Sequence, residues 1–189
     1  IPCPWVMYRR KKNITQSENA QGTLIFIPKS LPELKFNYSL NEYVSKIFDS
    51  NQFESPYSFV VHHHDLKSEI HGELEKFKLP IITFGSDSFY SNVIDNFYST
   101  VANYSAAVSP NPGSELYYCH EMGLKFSKIC IDIEGVAETQ KIRDVFKNQA
   151  QDDLSVRVWS ELHDLFSDEH TTDRFTQDTW IENMLSLDL

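Results

Sequence analysis

Apolar and polar positions along the chain fall into short hydrophobic runs separated by amphipathic segments. Residues 23–27 (TLIFI) form a compact β-type run that Pro28 stops. Residues 57–61, 80–84 and 106–108 are further runs of strand length. A fifth spans 126–133, where Ile129, Ile131 and Ile133 recur at period two. Between the runs the period changes. Ser39-Leu40-Asn41-Glu42 has the form of a capping box, and Leu40, Tyr43, Val44, Ile47 and Phe48 follow at helical spacing, so the pattern predicts a helix over 39–49. Ile70, Leu74 and Phe77 mark a short helix from Ser68. A long one follows Gly85-Ser86-Asp87, with Phe89, Tyr90, Val93, Ile94, Phe97, Tyr98 and Val101 on one wide face. Ser114 opens another through Met122, and Gly123 is placed to end it.

Beyond Ala137 only helical spacing remains, in Ile142, Val145 and Phe146, then Val158, Trp159, Leu162, Leu165 and Phe166, then Ile181, Met184 and Leu185. Five strands separated by four helices predict an α/β fold, a Rossmann-like parallel sheet of about five strands with helices on both faces and a helical C-terminal tail. Residues 1–19 read as a linker or N-terminal extension, 20–150 as the Rossmann-like domain and 151–189 as C-terminal helices. No internal repeat and no low-complexity stretch is present.

Composition narrows the classes. The 189 residues include 13 Phe, 9 Tyr and 3 Trp, enough large side chains for a sizeable core, so disorder is excluded as the default. No window approaches the ~18 apolar residues of a transmembrane helix, and the N-terminus lacks the layout of a signal peptide. A formal charge of −10 repels a phosphate backbone, and Arg9-Arg10-Lys11-Lys12 is the one basic cluster, so nucleic acid is not an expected partner. Cys3, Cys119 and Cys130 are odd in number and widely spaced, which fits a reducing compartment. Cys119 and Cys130 lie inside apolar patterns and read as buried, inert thiols.

Ligands of an open parallel sheet bind beyond the carboxyl ends of its strands. The fourth such end is the most informative, because Asn111-Pro112-Gly113-Ser114-Glu115 runs from a strand into a helix. Glycine permits close backbone approach, and the helix start presents unpaired N–H groups with a positive dipole end, an anion site whose usual occupant is phosphate. Ser114 adds a hydroxyl and Glu115 an acceptor for sugar hydroxyls. The same residues also suit a tight turn at Gly113 with Ser114 as helix cap. No GxGxxG, GxxxxGK[ST] or GxSxG pattern occurs.

Three histidines, His62, His63 and His64, follow the second strand. If the strand continues, His62 and His64 share one face. Two imidazoles suit a metal, but only Asp65 lies at close spacing to complete the set, so no metal is expected. A histidine at the strand end otherwise serves as base or hydrogen-bond donor to a sugar or phosphate, or as a plain loop or core residue. Lys29 and Ser30 follow the first strand, where Ser30 is a further phosphate contact or part of a solvated loop. Glu134 follows the fifth strand, at a position open to a ribose-binding carboxylate.

The stretch from Ser109 to Gly123 (SPNPGSELYYCHEMG) resembles the donor-site segment of bacterial polysaccharide and lipopolysaccharide glycosyltransferases with the two-lobed GT-B fold. In that family a strand ends in a Ser/Asn turn, and Gly-Ser then opens a helix rich in aromatics that closes at Met/Leu-Gly. Asn103-Tyr104-Ser105 and the first strand running into Pro28-Lys29-Ser30 also look like the family. The resemblance covers residues 20–135 and departs from the pattern at Pro110, where a small polar residue is expected.

It implies a nucleotide-sugar-binding lobe that hands a sugar to a growing cell-surface glycan or lipid-linked acceptor. The donor and phosphate contacts it implies are Ser30, His62, His64, Ser109, Asn111, Gly113, Ser114 and Glu115, with no obligatory metal and no cofactor. The general base then belongs to an N-terminal acceptor lobe outside these 189 residues. The setting it implies is cytoplasmic, at the inner face of the membrane as a peripheral protein. Two other readings stay open on the same architecture, a nucleotide-sugar epimerase and a non-catalytic interaction or regulatory module docking a partner through its acidic tail helices with Trp159 and Trp180.

Overall fold

Each β-type run in the first 128 residues becomes a strand of one parallel sheet, and the amphipathic segments become the helices that cover it. A computed structural model describes residues 3–29, 34–85, 90–137, 139–170 and 172–185. Ser30, Ser86, Asp87 and Phe89, and the side chains of Tyr90, Val145 and Phe146, lie outside the described residues. In chain order the elements are α1 (Pro4–Lys11), β1 (Thr23–Phe26), β2 (Leu34–Tyr38), α2 (Leu40–Asp49), β3 (Tyr57–Val60), α3 (Glu69–Glu75), β4 (Ile81–Ile82) and α4 (Tyr90–Val101). Then come β5 (Ala106–Ser109), α5 (Ser114–Glu121), β6 (Lys125–Lys128), β7 (Ile133–Ala137), α6 (Gln140–Gln151), α7 (Asp153–Phe166) and α8 (Arg174–Leu185).

The sheet order is β4-β3-β1-β5-β6 with every pairing parallel, the Rossmann-like arrangement that the alternation of runs and helices predicts. β1 and β5 are buried along their whole length, as central parallel strands covered on both faces must be. Alternate residues feed two cores. Leu24, Phe26, Val60, Ala107 and Phe126 face one layer, with Val6 of α1, Phe97 and Val101 of α4, Leu116 of α5, Phe166 of α7 and Ile181 of α8. Ile25, Phe59 and Val108 face the other, with Tyr43, Val44 and Ile47 of α2 and Leu74 of α3. The capping residue of α2 is Ser39, whose hydroxyl accepts from the Glu42 N–H at 3.2 Å. Gly22 leads into β1 at φ +85°, and a Cβ there would stand 2.2 Å from the Pro56 carbonyl oxygen, so only glycine fits.

Three features differ from the pattern read along the chain. First, the expected strand over 126–133 ends at Lys128. Among the described residues its one sheet neighbour is β5, which stops at Ser109 before Pro110, and none of them forms a ladder with Cys130 to Asp132. Second, β7 instead pairs antiparallel with β2, from Leu34↔Ala137 to Tyr38↔Ile133, in a separate ribbon. Third, within residues 1–19, expected as a linker or N-terminal extension, residues 4–11 form α1, with Pro4 in its first turn and Arg9, Arg10 and Lys11 in its last. Val6 is fully buried, Trp5 stacks on Tyr118 at 4.9 Å, and Arg9 and Arg10 both pair with Glu121. The C-terminal helices α7 and α8 contribute Leu162, Phe166, Ile181 and Leu185 to the first core layer. Among the described residues no helix is long and apolar enough to cross a membrane.

Candidate functional site

Because the strand order runs outward in both directions from β1, the connections after β1 and β5 leave on opposite faces, and a crevice opens between their carboxyl ends. The ladder between them runs from Thr23↔Ala106 to Ile25↔Val108. Where it stops, the buried Tyr43 hydroxyl stands 3.1 Å from the Phe26 carbonyl oxygen and 3.2 Å from that of Val108, tying the two strand ends. Above this point lies a cleft of about 520 Å³. Lys29, His62, Gly85 and the turn Ser109 to Glu115 supply its polar rim from the ends of four strands. Phe26, Phe84, Phe97 and Trp5 line its apolar side, and Leu34 and Phe36 of β2 form a lip.

The β5–α5 turn is the expected one, with a different occupant. Gly113, at φ −116° and ψ −142°, is the N-cap of α5, a role the sequence offers to Ser114. The Glu115 side chain folds back over the helix start, and its Oε1 accepts from the Gly113 N–H at 2.7 Å. Burial pushes the Glu115 carboxyl above its usual value, against the opposing pull of hydrogen bonds from the Gly113 and Glu115 backbone N–H groups and the Ser109 hydroxyl. The protein's own carboxylate therefore satisfies the donors that would otherwise hold a phosphate. A Cβ on Gly113 would meet Glu115 Oε2 at 2.9 Å, so glycine is what lets the carboxylate lie there.

The histidine run does not alternate across a strand. β3 ends at Val60, and the Asp65 N–H donates to the His62 carbonyl at 2.8 Å, closing a turn. The three rings gather on one side, with centroids 4.3 Å apart for His62 and His63, 3.9 Å for His63 and His64, and 5.0 Å for His62 and His64. One nitrogen from each lies within 4.8 Å of the others, so the cluster has the geometry to hold a metal that the strand reading did not give it. His62 lines the cleft; His64 is exposed and does not.

Of the expected contacts, His62, Ser109, Asn111, Gly113, Ser114 and Glu115 come together in the cleft, and Ser30 lies outside the described residues. Glu134 is exposed in β7, opposite Asn37, and lines a separate shallow depression. Asn103, Tyr104 and Ser105 precede β5 and so lie at the far end of the sheet from the cleft. The apolar side of the site was not read from the sequence. Trp5 follows Pro4 at a helix start, and Leu34-Lys35-Phe36-Asn37-Tyr38 alternates at period two, which are the two signals that mark it.

No protein-family model, no curated protein and no solved structure matches this chain.

Proposed function

We propose that this chain is the donor-binding lobe of a glycosyltransferase that moves a sugar from a nucleotide-sugar to a growing cell-surface glycan or lipid-linked acceptor. One observation carries the reading. The Ser109–Glu115 turn, on which the family resemblance rests, sits with Lys29 and His62 at the switch point of a Rossmann-like sheet, over an apolar cleft of about 520 Å³. The apolar side suits a nucleobase and the polar rim its phosphates. Transfer breaks the bond between the sugar's anomeric carbon and the nucleotide phosphate, and negative charge grows on the departing phosphate. Lys29, the Gly113 and Ser114 end of α5, and an imidazole donor at His62 stabilise that charge. Glu115 yields the Gly113 N–H to the phosphate and becomes an acceptor for sugar hydroxyls. The acceptor and the general base come from a second lobe. Against an epimerase stands the run of β1 into Ile27-Pro28-Lys29, which has none of the glycines a dinucleotide requires there.

The test is a thermal-shift panel of UDP, GDP, CMP and their sugar conjugates on this chain and on Gly113→Asp. A ligand that binds only the folded state raises the midpoint by mass action. The reading expects one nucleotide to raise it and the variant to lose the effect while remaining folded. No shift with any nucleotide, in a chain whose circular dichroism is that of the folded protein, overturns it.

A further inference from the structure

Away from the cleft, the end of β6 and the end of α7 bring together side chains that the donor site does not use. Cys130 lies two residues past β6, His163 in the last turn of α7 and Glu169 in the turn that follows it. One ligand atom from each, a thiol sulfur, a ring nitrogen and a carboxylate oxygen, lies within 4.8 Å of the other two. The Cys130 Sγ stands 4.0 Å from His163 Nδ1 and 3.1 Å from Ser167 Oγ.

The backbone builds this arrangement. Asp168 N–H donates to the Lys128 carbonyl at 2.9 Å, Cys130 N–H donates to Asp168 Oδ1 at 2.8 Å, and Lys128 and Ser167 form a parallel bridge. Two chain segments nearly forty residues apart are thus held in fixed register around the three donors. A cation already stands beside one of them, since Lys128 Nζ lies 3.0 Å from His163 Nδ1. An ammonium only donates, so Nδ1 offers its lone pair and the ring proton sits on Nε2. A thiol, an imidazole lone pair and a carboxylate within 4.8 Å of one another form a mixed S/N/O donor set of the kind zinc takes.

We propose that Cys130, His163 and Glu169 bind a divalent cation of the zinc class. The ion takes the place of the Lys128 ammonium and ties the β6 edge to the end of α7. The thiol proton leaves to solvent as the sulfur–metal bond forms. Three protein ligands leave the fourth tetrahedral position to a water.

Cobalt(II) is the probe, because a thiolate ligand gives it a near-ultraviolet charge-transfer band. Titration of the full, metal-stripped chain should produce that band with one equivalent bound, and zinc should abolish it. Cys130→Ser should remove the band, while His62→Ala combined with His64→Ala should leave it. Glu169 is exposed, so Glu169→Gln keeps the fold and should weaken the affinity roughly tenfold, whereas Lys128→Met should strengthen it by a similar factor. A band absent at saturating cobalt overturns the site. So does a band that survives Cys130→Ser, or an affinity unmoved by Glu169→Gln.

Discussion

The Glu115 carboxylate lies 2.7 Å from the backbone nitrogen of Gly113 and so covers the start of α5 from within the protein's own chain. The helix dipole and the N–H donors favour its charge, but burial opposes it more strongly and raises its folded-state pKa above 4.5. A raised carboxyl pKa means that the folded state holds the proton better than the unfolded state does. The contribution is fully present below 4.5 and is lost as pH rises through the folded value. Glu115→Gln has no such loss. Its melting temperature, measured against that of the wild type across this range, should gain on it as pH rises. If the two curves stay parallel, the carboxylate is not desolvated. On the proposed donor-lobe reading, the same variant should bind nucleotide about tenfold more tightly, because an entering phosphate would no longer displace a charge-assisted hydrogen bond.

Tyr43 ties the ends of β1 and β5 at the point where their ladder stops. Tyr43→Phe keeps the ring in the core and removes the hydroxyl's bridge to two carbonyls. The expected loss is about 1–2 kcal/mol, read as a lower urea midpoint with an unchanged slope. An unchanged midpoint would mean that the strand ends hold without the bridge.

His120 is 1% exposed, with Nε2 2.7 Å from Asp178 Oδ1, while Arg174 donates to both the His120 carbonyl and Asp178. Burial, and then the Arg174 charge, push the imidazole down to about 4 despite Asp178, so it is neutral and donates from Nε2. A lowered histidine pKa contributes stability that is present above 6.5 and is lost as pH falls towards 4. The loss is on the order of 3 kcal/mol across that window. Replacing the ring by an amide in His120→Gln should flatten the slope of stability against pH there. A variant whose slope matches the wild type would place the titration elsewhere.

The parallel sheet was legible because its strands are buried on both faces and so appear as apolar runs without alternation. The Ser39 cap was legible because its partner is local. What failed depends on contacts the local pattern does not carry. Ile129, Ile131 and Ile133 alternate as one strand would, but the ladder with β5 ends at Ser109↔Lys128, Ile129 keeps one bond to the Ser109 carbonyl, and Ile133 pairs with Tyr38 in the other ribbon. Cys130, whose apolar run predicts a buried thiol, is only half-buried, with His163 and Ser167 beside it. At the candidate site the turn residues are marked by their place between a strand and a helix, and they line the cleft. Glu115 was recognised as an acceptor, but its return to Gly113 depends on side-chain conformation, and the histidine cluster depends on β3 ending at Val60.

Among the described residues the sheet ends at β4 on one side and β6 on the other, and neither edge invites another chain. β4 is two residues long, too short to template an added strand, and β6 carries Lys125 and Lys128 at its two ends. Ser167 already bridges the end of β6. Edge-to-edge aggregation, the standing hazard of an open sheet, is thus blunted at both margins, and the surplus of ten negative charges adds long-range repulsion between molecules.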